Sequence, residues 1–329
     1  MEKKTAVTEQ KKGSRVLKEY KTELSMLLIF IIFFCIMSFA SPYFLTRQNI
    51  MNVLSQVSSI SMLAIGMTIV IITSGIDLSV GANLGLAGMI GSMALMNTQN
   101  IFLGIFVMLI MGAFIGMING FLIGYLNMPA FIVTLGMMQI CRSLVYVISD
   151  ANTASKFPEI YSFIGKGKIG GAFPVFIILI FAMFGIFIWI LLKTKFGRFL
   201  YAIGSNQEAA KLSGINIKFN TMMAYVVSGL MCGFAAWIMT SRLMACDPTY
   251  GDGNEMDAIA AAVIGGTSMS GGRGSLWGTM IGVLLVGFLR NALNILGVNP
   301  YWQGSAIGAV IIIAVLAERL SKMKIKLQK

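Results

Sequence analysis

The chain has no histidine, and only 12% of its 329 residues are charged, where soluble domains carry about 25%. The missing imidazole excludes a nucleophile activated by a histidine base. The four cysteines, Cys35, Cys141, Cys232 and Cys246, lack metal-ligand spacing; three lie in apolar segments, where a small hydrophobe accounts for them. A phosphate-cradling loop of the form G-x-x-x-x-G-K-[ST] is also missing. The stretch GGTSMSGGRGS is glycine-rich but has no Lys-Ser/Thr pair and lies between two apolar runs. Any ATP hydrolysis coupled to this chain must therefore occur on another one, and the sequence predicts no catalytic, cofactor or metal site within it.

What the chain has is apolar length. It is 57% hydrophobic with mean hydropathy +0.82, so it reads as an all-α polytopic membrane protein. A crossing helix needs about 20 apolar residues. Ten segments qualify or nearly do: 24–40, 50–73, 78–97, 101–125, 129–149, 173–192, 219–240, 256–270, 274–297 and 301–317. They divide the chain into a basic tail (1–23), a membrane domain (24–317) with a long connector at 193–218, and a second basic tail (318–329). The first apolar run reads as an anchor, not a cleaved signal.

The net charge of +12 does not point to nucleic acid, because the cations are sorted. Lys3, Lys4, Lys11, Lys12, Arg15, Lys18 and Lys21 occupy the first tail, and Arg319, Lys322, Lys324, Lys326 and Lys329 the last. Lys193, Lys195, Arg198, Lys211 and Lys218 lie in the connector. Ten crossings place all three on one side, which the positive-inside rule makes cytoplasmic.

The stretch Ser74-Gly75-Ile76-Asp77-Leu78-Ser79-Val80-Gly81 holds the only acidic residue between Ile50 and Met96. That run would make one helix of roughly 70 Å at 1.5 Å per residue, so it must fold into two. Gly75 is expected to end the first. Asp77 is expected to cap the second, accepting from the amide of Ser79 or Val80, at the cytoplasmic end of a hairpin. The competing reading makes Gly75, Asp77, Ser79 and Gly81 a hinge or inner gate.

Glycines four apart (112, 116, 120, 124; 274, 278, 282; 81, 85) form helix faces that let backbones approach closely. Packing within the chain is the simpler reading, a sliding or dimerising face the other. In the connector, NQEAAKLSG reads as a short helix. Asn206 caps it, Glu208 lies near its positive end, Ala209, Ala210 and Leu212 favour it, and Gly214 closes it. The outer loop 150–172 is expected to carry a short helix.

Polar residues inside predicted spans are Ser55, Gln56, Ser58, Ser59, Asn83, Asn119, Thr134, Gln139, Asn291 and Asn294. Of these, Gln56, Asn83, Asn291 and Asn294 are the candidates for lining a pathway. Arg142 and Arg290 face either a cavity or the outer interface. Outer acids Asp247, Asp252, Glu255 and Asp257 can meet a basic partner or merely solvate a loop.

The segments TSGIDLSVGANLGL, FGRFLYAIGSNQEAAKLSGINI, NEMDAIAAAVIGGTSMSGGRGSLWGTMIGVLLVGFLRNALNILGVNPYWQ and IGAVIIIAVLAE resemble the permeases of ribose/galactose-type ABC importers, from about residue 25 to 320. The resemblance implies a fold like that of the vitamin B12 importer permease, with about ten helices, and a homodimeric or heterodimeric pore in a bacterial inner membrane. It implies a separate ABC ATPase, and an extracytoplasmic binding protein that delivers a monosaccharide. It makes Gly204 to Gly214 the coupling segment that enters a groove on the ATPase, and Asp247, Asp252 and Glu255 possible contacts for the binding protein. Ribose-like sugars come first. Autoinducer-2 or nucleosides are alternatives, and an ion-coupled secondary transporter is a weaker one, since it needs an acidic residue near mid-membrane.

Overall fold

The computed structural model describes residues 21–170, 173–299 and 301–327; the basic residues from Lys3 to Lys18 lie outside the described residues. The described residues are mostly helical: α1 (Lys21–Ala40), α2 (Arg47–Ile72), α3 (Val80–Thr98), α4 (Ile101–Gly124), α5 (Ala130–Ser149), α6 (Phe163–Lys166), α7 (Val175–Lys193), α8 (Lys195–Ser205), α9 (Gln207–Leu212), α10 (Ile217–Leu243), α11 (Asn254–Ile264), α12 (Leu276–Ile295) and α13 (Tyr301–Leu327). The loop after α5 carries a 3-10 turn (Glu159–Ser162) before α6. A two-strand antiparallel hairpin follows, β1 (Lys168–Ile169) with β2 (Phe173–Pro174), pairing Lys168 with Pro174.

Among the described residues, seven helices are long and apolar enough to cross a bilayer: α2, α3, α4, α5, α7, α10 and α12. Shorter apolar stretches lie in α1 (Leu24–Ala40) and α13 (Tyr301–Leu316). The expected span 256–270 is shorter than predicted. α11 has 11 residues, about 16 Å at 1.5 Å per residue, too little to cross. It stops because Gly266 turns left-handed (φ +90°), with Gly266 and Thr267 N–H closing on the carbonyls of Val263 and Ala262, while Gly265 packs directly on the backbone of Gly278.

The centre of the molecule is α2, buried continuously from Val57 to Ile72. The glycine ridge of α4 packs within the chain, against α10: a Cβ at Gly112 would meet Gly229 and Gly233, at Gly116 Tyr225, at Gly120 Met222, and at Gly124 Lys218. Gly278 and Gly282 likewise seat α12 on Ala261 of α11 and on Gly265 just beyond it. Beside α12, Phe30 and Phe34 of α1 join Phe44 and Phe288 in an edge-on cluster with centroid spacings favoured by aromatic pairs. Side chains pointing away from the bundle are apolar, with Phe39 at 93% and Phe102 at 85% exposure, as a surface facing lipid requires.

Loop contacts define two ends. At the hairpin end, Ala154 bridges Cys246, Gln99 donates to the Lys156 carbonyl, and Thr153 donates to Asp247. There Gly165 N–H donates to the Ser241 hydroxyl, which donates to the Tyr161 carbonyl, pinning α6 to α10. At the connector end, Ser74 Oγ donates to the carbonyls of Gly204 and Ser270, Gly272 N–H to Ile72, and Tyr201 to Gly274.

Two segments turn back from these ends into the interior. Residues 73–79 leave the connector end and reach Ser228, near the middle of the 27-residue α10. Residues 244–253 leave the hairpin end and run down α3, so that Gly88, Gly85 and Gly81 abut Cys246, Tyr250 and Gly251 in turn. α3 and α11 therefore both begin inside the molecule, where Gly81 packs against Gly251 and Glu255. The N-termini of the full-length α3 and the half-helix α11 approach each other there, with amides left to be satisfied locally.

Candidate functional site

Gln48, Asn52, Ser55, Gln56 and Ser59 recur on one face of α2 at the spacing of a helical stripe. Gln48, Asn52 and Gln56 are exposed. A polar stripe outside the packed core of a membrane helix needs water or protein beside it, not lipid. It has clefts. One of about 480 Å³ is lined by Asn52, Ser55, Gln56 and Ser59 with Arg242 of α10, Asn254 and Asp257 of α11, and Arg290 of α12. A second, of about 490 Å³, shares Asn52 and Ser55 and continues past Arg47 and Gln48 to Lys166, Lys168 and Phe176. Both fall in the volume range of small-molecule sites, about 300–1,000 Å³.

Arg290 Nη2 lies 2.8 Å from Asp257 Oδ1. Asp257, counted among the outer acids at the start of the expected span 256–270, is in the first turn of α11, wholly buried, beside the partly exposed Arg290. An acid in a first helical turn is favoured by the helix dipole. In the sequence its pairing is masked, because an acid at the start of a span reads as an outer-face residue until Arg290 is placed beside it.

Of the other pathway candidates, the structure gives each a neighbour to tie. Asn83 Nδ2 donates to the Gly112 carbonyl (3.1 Å), joining α3 to α4. Asn291 exchanges amide bonds with Asn49 at 2.7 and 2.9 Å, joining α12 to α2. Asn294 accepts from Gln303 of α13 at 2.6 Å. Of the four, Gln56 lines one of these two clefts and the other three line neither. Asn119 donates to Ser79 and Thr134 bonds back to Ala130, as hydroxyls inside apolar helices commonly do.

Asp77 does not sit at a hairpin tip. It is 1% exposed and reaches the middle of α10, where Ser228 Oγ donates to Oδ2 at 3.0 Å. Oδ1 accepts from the amide (3.1 Å) and hydroxyl (2.6 Å) of Ser79, and Asn119 donates to that hydroxyl in turn. The expected amide of Ser79 does bond, but the helix cap is Ser79, and the carboxylate reaches onward to α10. Three donors are what make a buried acid tolerable. It is enclosed and lines neither cleft, so it is not placed as the accessible acid that an ion-coupled carrier needs. Gly75 does not end α2 by a left-handed turn either; Ser74 takes that conformation (φ 65°). Gly75 is small because Tyr225 crosses it, its hydroxyl donating to the Ile76 carbonyl.

The connector is two helices, not one. α8 is capped by Thr194, whose hydroxyl accepts from Gly197 N–H, and it buries Gly197, Leu200 and Ile203 at three-residue spacing. That spacing was visible in the sequence. Gly204 belongs to α8, and it is held between the Ile72 carbonyl and Gly272. α9 follows the expectation: Asn206 Oδ1 accepts from Ala209 N–H at 3.0 Å, Glu208 lies in the first turn, Ala210 is buried, and Gly214 is left-handed (φ +78°). Leu212 projects outward, 90% exposed.

Among the acids expected at the hairpin end, Glu255 is buried against Gly81. Asp252 is exposed, 3.7 Å from Arg142, whose guanidinium also donates to the Tyr250 carbonyl. Asp247 is held below the usual carboxylate range by hydrogen bonds from the hydroxyl and amide of Thr249 and the hydroxyl of Thr153.

Residues 49–315 match the family described as branched-chain amino acid transport system / permease component. The chain belongs to this permease family. The permease is 46% identical to the ribose import permease protein RbsC of Bacillus subtilis, across 86% of this chain and 88% of that protein. It is 40% identical to RbsC of Haemophilus influenzae (88% and 90%) and 36% to the galactose/methyl galactoside import permease protein MglC of Escherichia coli (92% and 95%). No solved structure matches the permease.

Proposed function

We propose that this permease carries a ribose-like monosaccharide across a bacterial inner membrane, as the membrane subunit of an ABC importer. The observation that supports this most is the conjunction of sugar-import relatives with a polar stripe on α2 beside clefts of small-molecule size. Hydroxyl-rich, uncharged solutes need modest hydrogen-bonding groups that let go, and Asn52, Gln56 and Ser59 are of that kind.

In this reading, α1, α13 and the half-helix α11 complete about ten membrane segments in the manner of the vitamin B12 importer permease. Residues 24–317 are the membrane domain, and the basic tails 1–23 and 318–329 and the connector 193–218 are cytoplasmic. α9, with Leu212 projecting, docks a separate ABC ATPase. The hairpin end receives the sugar from a binding protein, with Asp247 and Asp252 as contacts. A second permease copy, or a related chain, closes the pore. The segment from Gly75 to Gly81 acts as the hinge between connector and interior.

The test is uptake of D-ribose by vesicles holding the permease with its ATPase and binding protein. Inactivating the ATPase stops uptake, and Leu212→Asp lowers both uptake and recovery of the ATPase with the permease. Uptake that persists on an ion gradient alone would overturn the ABC reading.

A further inference from the structure

The Asp257–Arg290 pair is incompletely used by the protein itself. Asp257 is wholly buried and lines the 480 Å³ cleft with Arg290. One oxygen, Oδ1, takes the guanidinium; among the described residues Asp257 Oδ2 and Arg290 Nε have no hydrogen-bond partner. Buried charged groups are ordinarily satisfied on every atom, and an ion pair kept only to join two helices gains by being so. Here an acceptor and a donor, both enclosed, are left over in two residues that line a cavity, within a side-chain rotation of it. Across the cleft, Asn52 and Gln56 supply amides, and Ile60, Met239 and Leu243 supply apolar wall.

We propose that Asp257 and Arg290, with Asn52 and Gln56 opposite, form a binding station for vicinal hydroxyls inside the permease, and that it sets a selectivity separate from that of the binding protein; this rests on the sugar reading above. A hydroxyl donates to the carboxylate and accepts from a guanidinium N–H, so an adjacent pair of hydroxyls spans the two groups. The apolar wall takes the C–H face of the ring. A solute lacking one hydroxyl leaves a buried charged atom unpaired, which is how polar sites reject deoxy analogues.

The experiment uses the complete importer in vesicles, with ribose-loaded binding protein at saturation, and reads D-ribose moved per ATP hydrolysed. Removing one charge strands the other, so the deciding variant is the neutral pair Asp257→Asn with Arg290→Gln. The expected result is a fall of about fivefold in sugar per ATP, the scale of a lost hydrogen bond, while stimulated ATP hydrolysis stays within about twofold. If that pair does not assemble, Gln56→Ala decides by the same readout. An unchanged ratio overturns the proposal. So does a parallel loss of transport and ATP hydrolysis, which marks a purely structural role. A wild-type importer that hydrolyses ATP but moves no ribose overturns the sugar reading itself, and is told apart because no variant is involved.

Discussion

Asp77 shows how one residue can be located correctly along the chain and wrongly in space. Its sequence context marks a joint between helices, and the joint is there, with Ser74 turning left-handed and the Ser79 amide bonded to the carboxylate. The reach to Ser228 is 151 residues away in sequence, and no local pattern encodes it. That reach yields a prediction at the same scale. Asp77→Ala strands the hydroxyls of Ser79 and Ser228 and should cost about 2 kcal/mol, read as a lower unfolding temperature in detergent. Asp77→Asn keeps two acceptor bonds, and Ser228 can rotate to accept from the amide. It should unfold near the wild-type temperature while transport slows, if the segment is a hinge. Normal transport by the Asn variant would leave Asp77 only the task of holding the joint.

Among the helices, the legible features were those with a period. The glycine ridge on α4 was plain in the sequence; which face it met was not, because α10 lies some hundred residues on. Gly112 and Gly116 touch backbone, so Gly116→Ala forces a methyl against the Tyr225 carbonyl and should destabilise by about 1–3 kcal/mol through overpacking. Gly136 of α5 has open space around its missing Cβ; Gly136→Ala should be neutral or stabilise by up to about 1 kcal/mol. Equal unfolding temperatures for the two variants would contradict this packing. The half-helix α11 was read as a full span because hydropathy counts apolar residues and is blind to the two glycines that stop the helix.

Across the whole molecule, contacts sort the loops into two ends without saying which faces the cytoplasm; the proposed orientation rests on the cation bias. A cysteine replacing exposed Asn152 at the hairpin end should react with an impermeant maleimide added to intact cells. One replacing Lys211 in α9 should react only after the membrane is opened. The reverse pattern would invert the proposed orientation, and with it the docking faces of the ATPase and the binding protein.

The sequence by itself determined that this chain is a multi-pass helical membrane protein, where its long helices lie, how α9 is capped and closed, and to which permeases it is kin. Those properties are set by composition, by runs of about 20 residues and by contacts a few residues apart. Only the tertiary structure decided which polar side chains are available. Asn83, Asn291 and Asn294 are occupied in tying helices together, Glu255 is enclosed, and Asp257 lies at a cleft with Arg290 and Gln56. The reason is physical: in a membrane interior each polar group must find a partner. That partner is fixed by which helices meet, not by the residues on either side.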